Sequence, residues 1–364
     1  METVFFVGMD VHKVSIQLAV LKNGQGRYEL EQRLPYDFSK VRKFFGSLKR
    51  KGTVIAAYEA GSMGFDLARV LAEMTIQCVV AAPGKIARQP SNRVKTNRRD
   101  ALMIAKLLRN SQLEAVHVPT REDESVRDYL RARADLKLDY TRSKQRLSKF
   151  LLRHGYLYQG SPWTQRHMQW MKGIEFPQPM LADTFERYLE TLLTQKEQLK
   201  AMDAKKELLA IGPRYATSVA RLRCLKGINY LTALSLVCEV GDFRRFERAE
   251  QFMGFLGIVL GERSSGPKRC QGGITKAGNV HLRKLLVEAA WHYRYNAAAS
   301  KRLIERRSGQ KAGVIAYAER ARERLQKKFA RLVHAKAKKS QVAVTAVVRE
   351  LAGFVWGLMV GKVA

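Results

Sequence analysis

Short apolar runs alternate with amphipathic stretches over the first 118 residues, and this alternation constrains the fold more than any other feature. The runs at 4–9 and 14–21 predict a β-hairpin whose first strand ends at Asp10. Further strands are expected in "TVIAAYEAG", which contains Glu59, and in "IQCVVAAPG", with helices before and between them. Strands that alternate with helices predict an α/β domain over residues 1–118.

A basic strip precedes the next predicted helix. The stretch "SNRVKTNRRDALMIAKLL" places Lys95, Arg98 and Arg99 around the lone acid Asp100, and apolar residues at helical spacing follow. The helix is therefore expected to open near Asp100. Because the strip is so rich in cations, it is expected to attract a polyanion.

Longer charged helices are predicted beyond this domain. Residues 119–209 carry narrow apolar seams, which are compatible with a helical hairpin or coiled-coil arm for dimerisation and equally with an ordinary helical bundle. Residues 210–364 predict a mostly α-helical domain with a helix–glycine–helix hairpin at Gly227 and a basic helical tail. The late stretch "VAVTAVVRELAGFVWGLMV" contains Arg349 and Glu350, which favours a packed helix over a membrane span.

The charge balance indicates the class of partner. The chain has 66 Lys and Arg against 33 Asp and Glu, a net charge of +33. Such an excess favours nucleic acid, because phosphates that are neutralised release their counterions. A membrane partner is not expected, since no charged segment with an apolar core opens the sequence. The cysteines show no paired ligand spacing, which fits a reducing cytoplasm and argues against a zinc site.

Three acids are expected at one edge of the predicted sheet. Asp10 and Glu59 each end a strand, Asp100 opens a helix, and ligands gather where the carboxyl ends of strands meet. Acids that converge repel one another unless a cation neutralises them, and Mg²⁺ prefers oxygen ligands and phosphates. Each acid alone is also explained as a turn, cap or solvent-exposed residue. Together they predict a magnesium site for phosphodiester chemistry.

Four motifs, in order and over nearly the whole chain, resemble those of a known family. They are "GMDVHK", "YEAG", "KTNRRDA" and "GERSSGPKRCQGGITKAGNVHLRKLL". The chain resembles the DEDD transposases of bacterial insertion sequences, which are relatives of the Piv DNA invertase and include recombinases guided by a bridge RNA. The resemblance implies an α/β ribonuclease-H-like (RuvC-like) N-terminal domain, a coiled-coil middle and a mostly α-helical C-terminal transposase domain.

The same resemblance implies a role for each acid. Asp10, Glu59 and Asp100 match three of the four acids that bind Mg²⁺ in this family, and Asn97 stands at the place of the other. A neutral amide oxygen can contact Mg²⁺ but lacks the negative charge. Three alternatives stay open: three carboxylates suffice here, the metal binds more weakly, or the copy is inactive. An introduced replacement at this position is a further alternative.

The resemblance further implies a serine nucleophile within "SSG". Ser264 and Ser265 are the candidates, and Ser265 is favoured by its position before Gly266 and Lys268. A serine ester to DNA conserves the bond energy while strands are exchanged. The cations expected to hold the scissile phosphate are Arg263, Lys268, Arg269 and Lys276.

The expected function is an RNA-guided DNA transposase or site-specific recombinase in the bacterial cytoplasm, associated with the nucleoid. Its expected partners are donor DNA, target DNA, a noncoding bridge RNA and further copies of the chain, as a dimer or tetramer. Two alternatives remain open. One is a RuvC-like structure-specific nuclease that hydrolyses with water, and the other is a catalytically impaired nucleic-acid-binding protein.

Overall fold

A computed structural model describes most of the chain. The described residues are 2–24, 29–86, 96–263, 270–295 and 298–362. They form two compact units, Met1–Val118 and Pro119–Ala364.

The first unit is built on a five-stranded mixed sheet with strand order β3-β2-β1-β4-β5. Its strands are β1 (Val4–Val11), β2 (Ser15–Lys22), β3 (Leu30–Pro35), β4 (Thr53–Glu59) and β5 (Gln77–Ala81). β1 pairs antiparallel with β2, and β2 with β3, whereas β1, β4 and β5 run parallel. The helices are α1 (Phe38–Lys49), α2 (Asp66–Glu73) and α3 (Asn97–Arg109). The prediction of an α/β unit is confirmed.

The two faces of β1 pack against different helices, because successive side chains on a strand point to opposite faces. Val7 and Met9 are fully buried in the cluster that contains residues of α1 and α2, such as Phe45. Phe6 lies on the other face, where it packs against residues of α3 that include Ile104. The sheet is therefore covered on both sides.

Gly8 allows α3 to lie directly on β1. A Cβ at this position would stand 2.1 Å from the carbonyl oxygen of Ala101 and 2.3 Å from the backbone nitrogen of Ala105. These distances leave no room for a methyl group, and both atoms belong to helix backbone that cannot move independently. A glycine at this position thus fixes the height of α3 above the sheet.

Replacing Gly8 with Ala is expected to destabilise the first unit by about 3 kcal/mol, because the new methyl group forces α3 away from β1. Urea unfolding followed by circular dichroism measures the change. Gly46→Ala in α1 is the matched control, since a Cβ there meets no atom within 4 Å. This control is expected to keep or raise stability by roughly 0.5–1 kcal/mol. Equal stability of Gly8→Ala and the native chain would contradict the close approach.

The structure corrects two details of the sequence interpretation in this unit. β3 was not predicted, because Leu34 is the only buried residue of a largely polar strand at the edge of the sheet. α3 begins at Asn97, and its N-cap is Thr96, whose hydroxyl oxygen accepts from the backbone N–H of Arg99 at 3.3 Å. Asp100 is therefore not the capping residue but lies in the first turn.

Two long helices open the second unit and pack antiparallel to each other. They are α4 (Arg121–Arg153) and α6 (Pro179–Ile211), each of 33 residues, or about 50 Å at 1.5 Å per residue. Val126 near the start of α4 shares a buried cluster with Ala210 near the end of α6. Phe150 and Phe185 share another cluster at the opposite ends of the two helices. The helices form a hairpin, with α5 (Gln165–Lys172) in the connection between them, while a coiled coil and a dimerisation role remain predictions.

The remainder of the second unit is mostly helical, as the sequence predicted. Its helices are α7 (Ala216–Leu222), α8 (Tyr230–Val240), α9 (Ala249–Leu256), α10 (Val280–Trp291), α11 (Lys301–Arg307), α12 (Ala312–Ala330) and α13 (Ser340–Val360). A short antiparallel pair, β6 (Leu260–Glu262) and β7 (Gln271–Ile274), lies between α9 and α10.

α13 is long and apolar enough to cross a membrane by length and composition, with a mean hydropathy of 1.6. In the structure, Val347, Leu351 and Val355 of this helix are fully buried. They belong to the main hydrophobic cluster of the second unit. α13 is thus a core helix, as expected from the sequence.

Candidate functional site

Asp10 and Glu59 lie side by side at the carboxyl ends of two neighbouring parallel strands. The register pairs Met9 of β1 with Tyr58 of β4, so the two acids are the next residues on each strand. Because side chains alternate along a strand, both acids share the sheet face of Gly8 and not that of Met9. This is the face on which α3 packs.

The first turn of α3 lies toward the same edge of the sheet. Ala101 covers Gly8, whereas Leu108, farther along the helix, packs in the cluster that contains Ile55 near the start of β4. α3 therefore runs antiparallel to β1 and β4. Asp100 comes one residue before Ala101, which contacts Gly8, and so lies closer to the carboxyl ends of these strands. The backbone brings all three predicted acids to one edge and one face of the sheet.

The side chains of these acids do not form a completed ligand set. The Oδ2 of Asp10 lies 3.0 Å from the Nε2 of His12. The Asp100 carboxylate makes no hydrogen bond or ion pair with any residue that the structure describes. Within the described ranges, no three His, Cys, Asp or Glu side chains lie close enough together to hold a metal ion. The magnesium ligands therefore remain a prediction, which the type and placement of the oxygen donors fit.

Asn97 shares one side of α3 with Asp100. Residues three apart on a helix are neighbours on its surface, and Asn97 is the first residue of α3. Its side chain is exposed, and Asp100 is partly exposed. The amide oxygen of Asn97 is thus available as a neutral donor beside the Asp100 carboxylate.

An ion pair that the sequence did not predict connects the basic strip to the sheet. The Nε of Arg98 lies 2.5 Å from the Oε2 of Glu31 in β3, and Glu31 also accepts a hydrogen bond from Gln17 at 3.2 Å. Glu31 thereby orients the Arg98 side chain, which stays 61% exposed. Arg99 is also exposed. Lys95 lies outside the described residues.

Most of the predicted serine site also lies outside the described residues, namely Ser264, Ser265, Lys268 and Arg269. β6 and β7 flank these positions on either side, and the backbone N–H of Arg263 donates to the carbonyl of Cys270 at 2.9 Å. Arg263 and Lys276 are exposed. Arg263 and Cys270, the described residues that flank these positions, therefore lie close together.

The loop that contains Lys276 is fixed by backbone contacts. Lys276 has a φ of +56°, and its N–H donates to the carbonyl of Gly257 at 2.9 Å. A Cβ at Gly278 would stand 2.4 Å from the carbonyl oxygen of Phe255. The loop therefore packs tightly against the end of α9, which gives Lys276 a defined position beside β7.

Glu239 is a second feature that sequence reasoning missed. Its carboxylate accepts two hydrogen bonds from Arg131 of α4, at 2.8 and 2.9 Å, and one from Asn279, the N-cap of α10, at 2.9 Å. Burial opposes the charged form, but the hydrogen bond from Arg131 and the charge of Arg127 outweigh it and lower the pKa of Glu239. A lone acid in the apolar stretch "LSLVCEV" was the available signal, since buried acids are almost always paired.

Comparison with known proteins connects both units to transposases. A DEDD transposase model of the IS110 type matches residues 7–155, and a model described as the transposase IS116/IS110/IS902 family matches residues 219–305. The transposase for insertion sequence element IS1533 from Leptospira borgpetersenii is 39% identical over 334 residues, which cover 90% of this chain and 96% of that protein. The y4qE protein of Sinorhizobium fredii is 38% identical over 360 residues, which cover 97% of this chain and 88% of that protein.

Proposed function

We propose a mechanism for this chain, which belongs to the IS110 family of insertion-sequence transposases and is a DNA transposase. In this proposal, the protein cleaves and rejoins DNA with a Mg²⁺-binding carboxylate site and a serine nucleophile. The observation that carries the proposal is the placement of Asp10 and Glu59 on adjacent strand ends beside the first turn of α3. Acids gathered at the carboxyl edge of a sheet are suited to hold a cation against a phosphodiester.

We also propose that the first unit is ribonuclease-H-like, of the RuvC type. Its support is the order β3-β2-β1-β4-β5, in which an antiparallel meander continues into two parallel strands. The candidate acids lie at the ends of β1 and β4, in the middle of this sheet. A central position is suited to a site that must contact a large substrate on several sides.

Asp10, Glu59 and Asp100 would hold Mg²⁺, with the Asn97 carbonyl oxygen as a neutral donor. When bound, the metal supplies charge neutralisation at the phosphodiester. His12 holds the Asp10 carboxylate through its contact with Oδ2. The exposed Arg98 and Arg99 draw the nucleic-acid backbone toward this edge of the sheet.

Ser265 is the proposed nucleophile of the second unit, with Ser264 as the alternative. Its oxygen would form a phosphoester with DNA while a phosphorus–oxygen bond of the DNA strand breaks and the departing DNA oxygen takes a proton. The ester keeps the bond energy available for rejoining. Arg263, Lys268, Arg269 and Lys276 would hold the phosphate.

Guidance by a bridge RNA and assembly into a dimer or tetramer belong to the same proposal. The net charge of +33 supports this part of the proposal, because one RNA and two DNA duplexes together carry a large negative charge. Guide pairing would then determine the target, and protein side chains would mainly contact the backbone. The proposed location is the bacterial cytoplasm, at the nucleoid.

A strand-exchange assay tests the proposed function. Purified protein is mixed with Mg²⁺, donor DNA, target DNA and the noncoding RNA of the element, and joined products are measured. Recombinant junctions that require the RNA are the expected result. DNA that is cleaved, with neither joined products nor a covalent bond between protein and DNA, would favour the nuclease. DNA binding without cleavage at any Mg²⁺ concentration would favour the impaired nucleic-acid-binding protein.

Replacing Asn97 with Asp is expected to lower the Mg²⁺ concentration for half-maximal strand exchange by about tenfold, because ligand charge strengthens cation binding. A Mg²⁺ titration of the assay measures this change. Asn110→Asp at the other end of α3 is the matched control, since it adds the same charge about 20 Å away at 1.5 Å per residue. If both variants shifted the titration equally, Asn97 would not lie at the metal site.

A further inference from the structure

A basic cavity lies beside Gly227 in the second unit, away from the serine segment in sequence. Its volume is about 770 Å³. Residues near the end of α6, of the turn between α7 and α8, just after α10 and of the helix α11 line it. Its basic residues are Lys206, Arg223, Lys226, His292, Arg302 and Arg306, and one acid, Glu207, also lines it.

Among the residues that the structure describes, most cations of this cavity are not paired with an acid of the protein, the exception being Lys206, whose Nζ lies 2.6 Å from Oδ1 of Asp203. In the described part of the chain, none of Arg223, Lys226, Arg302 and Arg306 forms an ion pair with a carboxylate, although Glu207 lies in the lining. The neighbouring Arg307, in contrast, lies 2.7 Å from Glu319. The cavity therefore keeps a surplus of positive charge where adjacent cations are paired.

The hydrogen bonds of these cations go to backbone carbonyls instead. The Nζ of Lys226 donates to Tyr295 at 3.2 Å, and the guanidinium of Arg306 donates to Ile228 at 2.9 Å. The Arg223 guanidinium lies 3.4 Å from the ring centroid of Tyr230, and its buried Nε has no hydrogen-bond partner. These contacts orient the side chains without cancelling their charge.

The cations also oppose one another's charge. Burial lowers the pKa of Lys226, and burial together with the charge of Lys226 lowers the pKa of His292. Burial and the charge of Arg223 lower the pKa of Arg306. An anion in the cavity would relieve this repulsion.

The backbone adds a further source of positive potential. Gly227 has a φ of +85°, and a Cβ there would stand 2.3 Å from the carbonyl oxygen of Ala289 in α10. This tight turn leads into α8, whose N-cap Asn229 accepts from the N–H of Thr232 at 3.0 Å. The first N–H groups of a helix and its dipole favour an anion, so the turn and the side chains point to the same ligand chemistry.

We propose that this cavity binds a backbone phosphate of a nucleic-acid strand, with Lys226 and Arg302 as direct charge partners and Arg223 and Arg306 as supporting cations. The identification of the ligand as nucleic acid rests on the proposed transposase function. The cavity is too large for a phosphate alone and has room for the adjoining sugar. It is a binding site and contributes no group to the chemistry.

The double variant Lys226→Gln, Arg302→Gln tests the proposal on the full chain. Binding of fluorescent duplex DNA and of single-stranded RNA is measured by anisotropy without Mg²⁺ over a salt series. One lost phosphate contact is expected to weaken binding about tenfold near 0.1 M salt and to lower the slope of log affinity against log salt by roughly 0.9 for duplex DNA or 0.7 for a single strand.

The matched control is Arg187→Gln, Lys200→Gln on α6, which removes the same net charge from side chains that are 83% and 81% exposed. It is expected to change affinity less than about threefold, because exposed charges act only through screened, long-range attraction. A selective loss for DNA identifies the phosphate as that of DNA, and a selective loss for RNA identifies it as that of RNA. Equal losses in both double variants, or none in either, would overturn the proposal.

Folding and charge are separated by two further variants. Arg302→Gln alone alters an exposed side chain. It is expected to show part of the affinity loss of the double variant and the same thermal unfolding as the native chain. Lys226→Arg, Arg302→Lys keeps both positive charges and is expected to restore the salt slope, because this slope depends on the number of phosphates that are neutralised. If binding does not return in this charge-keeping variant, the proposal fails. If a variant of the cavity lost strand exchange but bound nucleic acid normally, the result would point to an effect on catalysis and not to a phosphate site in the cavity.

Discussion

Replacing Asp10 with Asn is expected to reduce strand exchange by about 10³-fold or more, since losing several kcal/mol of transition-state stabilisation costs tenfold per 1.36 kcal/mol. The substitution keeps the shape of the side chain and removes the charge at the carboxyl end of β1, beside Glu59 and below the first turn of α3. The rate of junction formation under saturating Mg²⁺ measures the effect, and anisotropy measures DNA binding, which is expected to stay within about twofold.

Glu73→Gln is the matched control for Asp10→Asn. Glu73 ends α2 in the same unit, is 56% exposed, and pairs with Arg42 on the surface. Its loss is expected to leave strand exchange unchanged within about twofold, because exposed ion pairs contribute little. If Asp10→Asn retained the native rate, the carboxylate site would be excluded as the source of the chemistry.

Replacing Ser265 with Ala is expected to abolish the covalent protein–DNA adduct and to lower strand exchange by about 10³-fold or more, as loss of a nucleophile does in other covalent enzymes. Denaturing electrophoresis of the protein with labelled DNA detects the adduct. Ser264→Ala is the matched control, because the two serines are adjacent in the segment flanked by β6 and β7. An adduct that persists in Ser265→Ala and vanishes in Ser264→Ala would reassign the nucleophile.

The two variants together separate the alternative functions. A nuclease that activates water needs Asp10 but not Ser265, so it would lose DNA cleavage only in Asp10→Asn. A recombinase that forms a serine ester would lose strand exchange in both variants. A protein that only binds nucleic acid would show no cleavage in any variant, with its binding intact.

Local patterns were sufficient for most of the first unit. β1, β2, β4 and β5 follow apolar runs, and the basic strip leads into α3 as expected. β3 was missed because an edge strand buries few residues, so "LEQRLP" lacks the alternation that marks a half-buried strand. The first turn of α3 was placed only approximately, since several polar residues before Asp100 were able to act as its cap.

The candidate site was predictable in its residue types and not in its contacts. The strand ends at Asp10 and Glu59 follow from the sequence pattern, but their adjacency depends on β4 pairing directly with β1. The contact between Arg98 and Glu31 joins residues that are far apart in the sequence of the first unit. No local pattern encodes such a pair, because it depends on how α3 and β3 lie on the same sheet.

The sequence by itself determined that this chain has an α/β unit followed by helices, that acids end two of its strands, and that its charge suits nucleic acid. These features follow from periodicity and composition, which act over a few residues or over the whole chain. Only the tertiary structure decided that α3 rests on Gly8, that Glu239 is held by Arg131, and that the cations around Gly227 share a cavity. Such contacts join distant residues, and close packing of the folded chain alone selects them.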